Sequence, residues 1–581
     1  MVRRVWDDVP ADAGVVQALV DSLGVPAVIG RLLVQRGLTT PDAAERFLSP
    51  TLDHLHDPWV MADMRPAITR LSAAIDAGES IIVHGDYDAD GITSTAMLQR
   101  VLEVAGAKVR HFVPDRMKDG YGLQPETIER LAAEGAQVIV SVDCGIRAVE
   151  AAEMARARGV DLIITDHHEP DTALPRAVAV INPRRPDCAY PEKSLSGAGV
   201  ALKVVQALVE ARGLSRDLIP GFMKLAAIGT MADVVPLIGE NRVIARFGLE
   251  GLSRGPHGTG LEALLEEAGL VGKRLDSFHI GFVLAPRLNA AGRMSHAGQA
   301  VDLLLARGRD PQSRADARGR ARMLTEENTR RQDSEAVMLA EARKLVEHEP
   351  SIGAHNLLIV AGDGWHRGVV GIVASKLVDQ FHKPTMVLAV ADGVAHGSCR
   401  SIPAFDMLGA LDANADLFLK FGGHRQAAGV TIDVARLPEV RARLTQWAND
   451  RLEPGDLVPR LRIDADLRLD EITGAVVEGV RRLGPFGLAN PKPVFRAAPV
   501  DLLQAPRVLK ERHLALMFKQ GTRSFRGLAW RAAEREGYLS ANRFGLELAY
   551  SLEENEFRGE RVTELTVADV RTPASVMGGV A

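Results

Sequence analysis

The 581-residue chain predicts an α/β fold. The expected architecture is a parallel-sheet domain joined by a long helix to a smaller α/β domain, followed by an all-β, OB-like domain. Three observations lead there. Short β-branched runs alternate with helical segments from about residue 65 to 235. A stretch rich in Ala, Arg, Glu and Leu, 311–349, has no Pro or Gly after Gly319. From about Leu461, strand runs and Gly-rich turns take over. With 46% hydrophobic and 25% charged residues, the chain can fill three or four domain cores.

Residues 1–55 read as a helical lead-in. VVQALVDSLGVPAVIGRLLVQRG has three- and four-residue apolar spacing and a glycine stop. The Pro/Asp/His-rich SPTLDHLHDPW closes it. Residues 56–310 form the first α/β unit. Its strand runs are IIVH ending at His84, VRHFVP at Pro114, VIVSVD at Asp143, LIITD at Asp166 and VAVINP at Pro183. Helix-like segments such as TSTAMLQRVLEVAG and AVEAAEMARARG lie between them. Continuous apolar strands separated by helices imply a parallel sheet covered on both faces. Ligands of such sheets sit outside the carboxyl ends of the strands. Residues 236–310 add helical support, and 311–349 form the connecting helix. Residues 350–452 return to strands with NLLIVAG, TMVLAVADG and the Gly-rich FGGHRQAAG. The linker EPGDLVP leads to 453–581, an OB-fold-like domain for nucleic acid.

Composition excludes several classes. Cys144, Cys188 and Cys399 make no disulfide framework and no C-x-x-C pair, which argues for a reducing, cytoplasmic setting and against a thiolate zinc site. MVRRVWDDVPADAG lacks the apolar run of a secretory signal, and no stretch reaches 18 apolar residues, so no membrane partner is expected. No short repeat suggests a solenoid. The net charge of -5 argues mildly against nucleic acid, but a partner feels the local field. Residues 481–530 hold ten basic and two acidic residues, a net +8. Phe486, Phe495, Phe518, Phe525 and Trp530 are interleaved, about three of the five expected in the core. Basic and aromatic residues on a small barrel suit a single strand.

The densest polar motif is HGDYDADG, 84–91, directly after an apolar strand. His84, Asp88 and Asp90 can surround a cation. Asp86 either ligates too or hydrogen-bonds a ligand. VDCG places Asp143 at a strand end, with Cys144 a small buried neighbour. TDHHEP brings Asp166, His167 and His168. Adjacent histidines on an extended chain point opposite ways, so only one is expected to ligate the same metal. AIGTMADVVPL carries Asp233 after an apolar run, taken as a fourth strand-end cluster. Carboxylate and imidazole without thiolate favour Mn²⁺, with Mg²⁺ as second choice. Six ligands, His84, Asp88, Asp90, Asp143, His167 and Asp233, exceed what one catalytic metal needs. Two divalent cations about 3.5–4 Å apart fit the count, and such a pair activates a water and stabilises the leaving oxygen of a phosphoryl transfer.

These motifs, with MADVVPL (231–237) and GGHRQAAG (422–429), resemble the DHH phosphoesterase family and, within it, the RecJ single-strand-specific exonucleases. The resemblance runs from about residue 50 to the last residues. It implies one metal among His84, Asp88 and Asp143 and another among Asp90, Asp143, His167 and Asp233, with Asp143 bridging. It places His168 over the scissile phosphate, so His168, Asp86 and Asp143 are the expected catalytic residues. The implied activity is 5′→3′ hydrolysis of single-stranded DNA to 5′ mononucleotides in repair and recombination. The implied setting is a monomer assisted by a helicase and a single-strand-binding protein.

Substrate candidates come from both domains. HGSCRSIPAFD puts Ser398, Arg400 and Ser401 in a short polar turn, where a hydroxyl and a guanidinium can clamp phosphate. Gly422, Gly423 and His424 let backbone amides and an imidazole approach phosphate. GWHRGVVGIVASKL runs from a Gly-rich loop with His366 into a helix start able to accept an anion. By the resemblance, Arg287, Asn289 and Arg293 lie beside the terminal nucleotides and Arg116 beside Tyr121 and Gly122. Arg116, Arg287, Ser398 and Arg400 would then grip the 5′ end. Two other readings compete: a phosphodiesterase of short oligonucleotides or cyclic dinucleotides, and a non-catalytic scaffold. The C-terminal basic window speaks against the first, and the full ligand set against the second.

Overall fold

In the computed structural model, residues 4–115, 122–294, 296–557 and 560–573 are described. The first α/β domain is built on five parallel strands: β2 (Ser80–His84), β3 (Lys108–Phe112), β4 (Val138–Val142), β5 (Asp161–Thr165) and β6 (Ala179–Ile181). Their order is β3-β2-β4-β5-β6, and β1 (Val5–Asp8) stands apart from them. The two central strands β2 and β4 are almost wholly buried, as continuous apolar runs covered on both faces require. Helices Ala89–Val104, Gly197–Ala211 and Ile219–Ala232 pack on one face in one hydrophobic cluster with Val83, Val140 and Ile163. Helices Pro125–Ala133 and Val149–Ala157 cover the other.

The connecting helix runs from Pro311 to His348, started by Asp310, whose side chain accepts from the Ser313 amide. The second domain carries β7 (Leu358–Asp363), β8 (Thr385–Ala391), β9 (Val394–Arg400), β10 (Lys420–His424) and β11 (Ala427–Asp433), in the order β10-β11-β9-β8-β7. Ser398 and Arg400 therefore lie on β9, between β8 and β11, rather than in a turn. The polar sequence HGSCRS concealed a strand because its glycine and serines have low β propensity, which tertiary pairing overrides.

The last domain begins with β12 (Arg460–Ile463). The seven strands that follow are β13 (Ala465–Asp466), β14 (Phe495–Leu502), β15 (Arg507–Leu509), β16 (His513–Gln520), β17 (Arg523–Ala529), β18 (Leu546–Phe557) and β19 (Glu560–Arg571). Their order is β13-β14-β18-β19-β17-β16-β15, and the β14–β16 pairing closes the barrel. A helix, Gly474–Leu483, interrupts the strands where none was expected; the Thr473 side chain caps it, accepting from the Val476 amide. Phe495, Phe518 and Phe525 are core residues, while Trp530 is exposed.

The N-terminal segment belongs physically to this last domain. β1 pairs in parallel with β12, some 450 residues along the chain. Leu19, Ile29, Leu32 and Phe47 share a hydrophobic cluster with Leu469, Phe495 and Leu548. Arg242 ties the three parts together. Its buried guanidinium donates to the carbonyls of Phe47, Arg482, Leu483 and Gly484. Three of those carbonyls lie at the C-terminus of helix Gly474–Leu483, where a cation also meets the negative end of the helix dipole.

Candidate metal centre

The carboxyl ends of β2, β4 and β5 deliver His84, Asp143 and the Asp166–His168 loop to one rim of the sheet. Asp88 caps helix Ala89–Val104, accepting from the amides of Asp90 and Gly91. The cap points Asp90 inward, where its carboxylate accepts from the Gly197 amide at 2.7 Å and the Ala198 amide at 2.8 Å. Those amides are the free N-terminal donors of helix Gly197–Ala211, the natural seat of an anion. Asp233 arrives differently from the expectation. It ends helix Ile219–Ala232 rather than a strand, and Val234 beside it sits at φ 60°. Asp143 is also in the left-handed region, at φ 62°. Such strain at a buried carboxylate and beside another is tolerated only where the surroundings impose it.

The side chains converge into three overlapping groups, each able to hold an ion: Asp90, His167 and Asp233; Asp86, Asp88 and Asp143; and Asp143, His167 and His168. Asp143 is shared by two of them. His84 is fully buried at the base of the site, its Nδ1 3.8 Å from the Cys144 sulfur. Asp86 takes the position in the second group that the sequence reading assigned to His84. His167 Nε2 stands 3.1 Å from Asp143 Oδ1, 3.6 Å from Asp233 and 4.0 Å from Asp90. The two histidines do not point opposite ways. Their rings lie 4.4 Å apart, because both follow β5 instead of lying on it, and strand alternation does not govern them.

Electrostatics supplies the test of whether cations fit. Burial, then neighbouring carboxylates, pushes Asp90 and Asp143 well above the ordinary carboxylate range. Burial and Asp88 push Asp86 and Asp233 up to about 7. Burial and then His168 push His167 down to about 4. Buried Asp143 Oδ1 and His167 Nε2 make no hydrogen bond among the described atoms. Several carboxylates forced together, offset only by a few backbone amides and set beside a neutral imidazole, suit divalent cations. The donor set has no thiolate: Cys144 is buried, and burial holds its thiol protonated.

Sequence reasoning missed several supports. Asp166 Oδ1 accepts from His168 Nδ1 at 2.7 Å and from the His167 amide at 2.7 Å. Burial alone would raise Asp166, but the His168 hydrogen bond and charge win and lower it. Asn182 donates to the His168 carbonyl. Gly197 and Gly229 are required by close approach. A Cβ on Gly197 would stand 2.5 Å from Asp143 Oδ1, and one on Gly229 2.5 Å from Asp90 Oδ1. The available signals were the aspartate inside TDHH and the small-residue run SGAG.

Family models agree with this layout. The DHH family N-terminal domain matches residues 80–230, the DHHA1 domain 354–450 and the RecJ OB domain 463–569. A Dickeya dadantii protein named single-stranded-DNA-specific exonuclease RecJ is 38% identical over 568 residues, covering 94% of this chain and 96% of that one. The chain belongs to the RecJ family. The Escherichia coli RecJ of the same description is 35% identical over 94% of this chain and 96% of its own length. The crystal structure of RecJ in complex with Mn²⁺ from Thermus thermophilus superposes with a TM-score of 0.82 at 32% identity, covering all of this chain and 81% of that one. The same protein in complex with Mg²⁺ gives 0.77 at 31% identity, covering all of this chain and 80% of that one.

Within this RecJ chain the substrate candidates fall into two sets. Arg400 Nη1 donates to Ser398 Oγ at 2.8 Å, and both face the start of helix Val370–Phe381 across Gly371. His366 Nδ1 accepts from the Gly368 amide in the preceding loop. Gly422, Gly423 and His424 are exposed on hairpin strand β10. Other candidates are engaged in scaffolding. Asn289 accepts from the Ala89 amide and so fixes the metal loop. Arg293 donates to the Gly368 carbonyl, bridging the two domains. Arg287 reaches Thr325 and the Val283 carbonyl, and the Ser401 hydroxyl donates to the Phe405 carbonyl. Arg116 and Tyr121 lie outside the described residues.

The basic window is less bare than its sequence. Arg481 pairs with Glu478, Arg482 with Glu45, Lys492 with Glu553, Arg496 with Asp8 and Asp466, and Arg526 with Glu564. Arg507, Lys510, Arg512, Lys519 and Arg523 make no ion pair among the described residues, and they carry the window's remaining positive surface.

Proposed function

We propose that this protein is a single-stranded-DNA-specific exonuclease that degrades from the 5′ end and releases 5′ mononucleotides, serving DNA repair and recombination. The observation that carries the reading is the end-to-end match to exonucleases of that description, over catalytic, DHHA1 and OB domains together. A phosphodiesterase of dinucleotides needs no basic barrel.

His84, Asp88, Asp90, Asp143, His167 and Asp233 would hold two divalent cations, Mn²⁺ by preference, with Asp143 available to both and Asp86 beside the second group. When bound, the cations supply a water of lowered pKa and offset the charge of the phosphate and leaving oxygen. The protein's own groups do the rest. His168, fixed through Nδ1 by Asp166, whose hydrogen bond and charge outweigh burial and favour the imidazolium, presents a protonated Nε2 to the scissile phosphate and donates toward a phosphate oxygen or the departing 3′ oxygen. Ser398 and Arg400, at the start of helix Val370–Phe381, grip the 5′ end, with the exposed Gly422–His424 strand and His366 alongside. This anchoring sets polarity, because the phosphate held there leaves one bond over the metal centre. Arg287, Asn289 and Arg293 brace the approach, and Arg116 and Tyr121 complete the proposed set of substrate-binding residues. A helicase and a single-strand-binding protein supply the opened strand to a monomeric enzyme in the cytoplasm, in keeping with three buried, reduced cysteines.

Digestion of a long single strand labelled at either end, in Mn²⁺ and in Mg²⁺, tests the reading. Early release of the 5′ label as a mononucleotide is expected; first release from the 3′ label overturns the polarity. Preference for a dinucleotide over the long strand overturns the substrate class.

A further inference from the structure

A pair of phenylalanines stands outside the machinery described so far. The helical segment that precedes Ala285–Met294 is a π-helix, His279–Leu284. Its apolar residues Ile280 and Leu284 are fully buried in the catalytic-domain core, against the helix that ends at Asp233. Its other face carries Phe282, and Phe278 stands just before its first residue; they are 73% and 58% exposed. Their rings stack at 5.0 Å with planes 23° apart. Gly281 between them has open space where a side chain would stand. Large exposed aromatics in a flat stack are costly in water, and π-turns concentrate at functional sites.

The location defines the occupant. One residue before the pair, Ser277 donates to the Phe486 carbonyl of the OB domain, so the rings sit at the seam between that domain and the catalytic domain. Just upstream, Arg274 and, from the barrel, Arg481 lie close enough to Arg246 for their charges to act on it, with Glu250 and Glu478 opposing them. Downstream the chain runs straight into helix Ala285–Met294, whose Asn289 holds the metal loop. A strand passing from barrel to metal centre along this route meets cations for its backbone and two π-faces for its bases. Phenylalanine rings have no hydrogen-bonding groups of their own, so a stacked pair reads no base in particular, as a nuclease without sequence preference requires.

We propose that Phe278 and Phe282 form a base-stacking platform that positions the single strand between the OB domain and the metal centre. The proposal rests on the exonuclease reading above. Phe→Leu changes at both positions keep apolar volume for the fold and remove the π-faces. Steady-state digestion by the Mn²⁺-loaded enzyme is compared on an ordinary strand and on strands with abasic nucleotides stepped inward from the 5′ end. The F278L/F282L variant is expected to melt as the parent does and to show KM raised about tenfold, with kcat changed far less. The parent should lose a similar factor on strands whose abasic sites fall over the platform, while the variant is indifferent to them. Unchanged KM overturns the proposal, as does a variant that still discriminates abasic sites like the parent. A variant that changes only self-association, seen by sedimentation, also overturns it and marks the pair as a contact between copies. Failure of the parent to digest single strands would instead defeat the exonuclease reading.

Discussion

Asp166 Oδ1 stands 2.7 Å from His168 Nδ1, and the same oxygen accepts from both following amides. One carboxylate thus fixes the loop, the ring plane and the tautomer that leaves Nε2 facing the site. Asp166 is a positioning residue, since it belongs to none of the three ligand groups. Asp166→Asn should lower kcat by about 10²-fold or more while the Mn²⁺ affinity measured by calorimetry stays within a few-fold of the parent. An equal loss of both would place Asp166 among the metal ligands.

Gly197 opens a second prediction. The three atoms nearest to a Cβ built there all belong to Asp143. Asp143 cannot yield, because its backbone is held at φ 62° and its amide donates to the Thr165 carbonyl. Gly197→Ala should therefore weaken Mn²⁺ binding by about 10–100-fold with the fold retained. Calorimetric titration reads the affinity, and circular dichroism reads the fold. Wild-type affinity would show that helix Gly197–Ala211 shifts freely.

Much of this was legible from sequence, and the exceptions have definite causes. IIVH, VIVSVD and LIITD announced β2, β4 and β5 because buried parallel strands are continuous apolar runs, and the polar residues that end them fell on the sheet's rim. Asp233 was misplaced because a short apolar run such as AAIGTMA does not tell helix from strand by period. β1 went unseen because its partner, β12, lies at the far end of the chain and leaves no local trace. Gly197 showed only as part of the small-residue run SGAG, and Gly229 gave no signal; their need for a bare Cα appears when two helices meet over Asp143 and Asp90. The barrel's charge looked barer than it is because Glu45 and Asp8, which pair with Arg482 and Arg496, come from the opposite terminus.

Arg242 supplies a third prediction. It satisfies four carbonyls from the N-terminal helices and the barrel with a guanidinium that has no counter-ion among its hydrogen-bond partners. Arg242→Met keeps the bulk and leaves those carbonyls dry, at a cost of about 3–5 kcal/mol. Undocking of the barrel is the expected route of relief. Limited proteolysis should cut between the domains, and the rate on long strands should fall far more than the rate on a dinucleotide. An equal loss on both substrates would mean that Arg242 supports the catalytic domain alone.

The last prediction concerns the metals and pH. Asp90, Asp143, Asp86 and Asp233 all titrate above the unfolded carboxylate range, the last two at about 7. A carboxyl with a raised folded-state pKa contributes stability below its unfolded pKa and loses it as pH rises through the folded value. His167, pushed down to about 4, acts oppositely: it costs stability at low pH and regains it as pH rises toward its unfolded value. Four carboxyl groups outweigh one imidazole. The metal-free enzyme should therefore lose stability between about pH 4 and pH 7, and Mn²⁺ should abolish the loss by binding the ionised site. At neutral pH, saturating Mn²⁺ adds about 2.7 kcal/mol at a hundredfold excess over Kd. Asp143→Asn removes a carboxyl whose ionisation the folded site resists, so without metal it should melt higher than the parent at pH 7 while losing activity. Thermal melts of both proteins across this pH range, with EDTA and with Mn²⁺, check the argument. A metal-free parent whose stability rises steadily to pH 7 would show that the carboxylates are compensated by the protein alone.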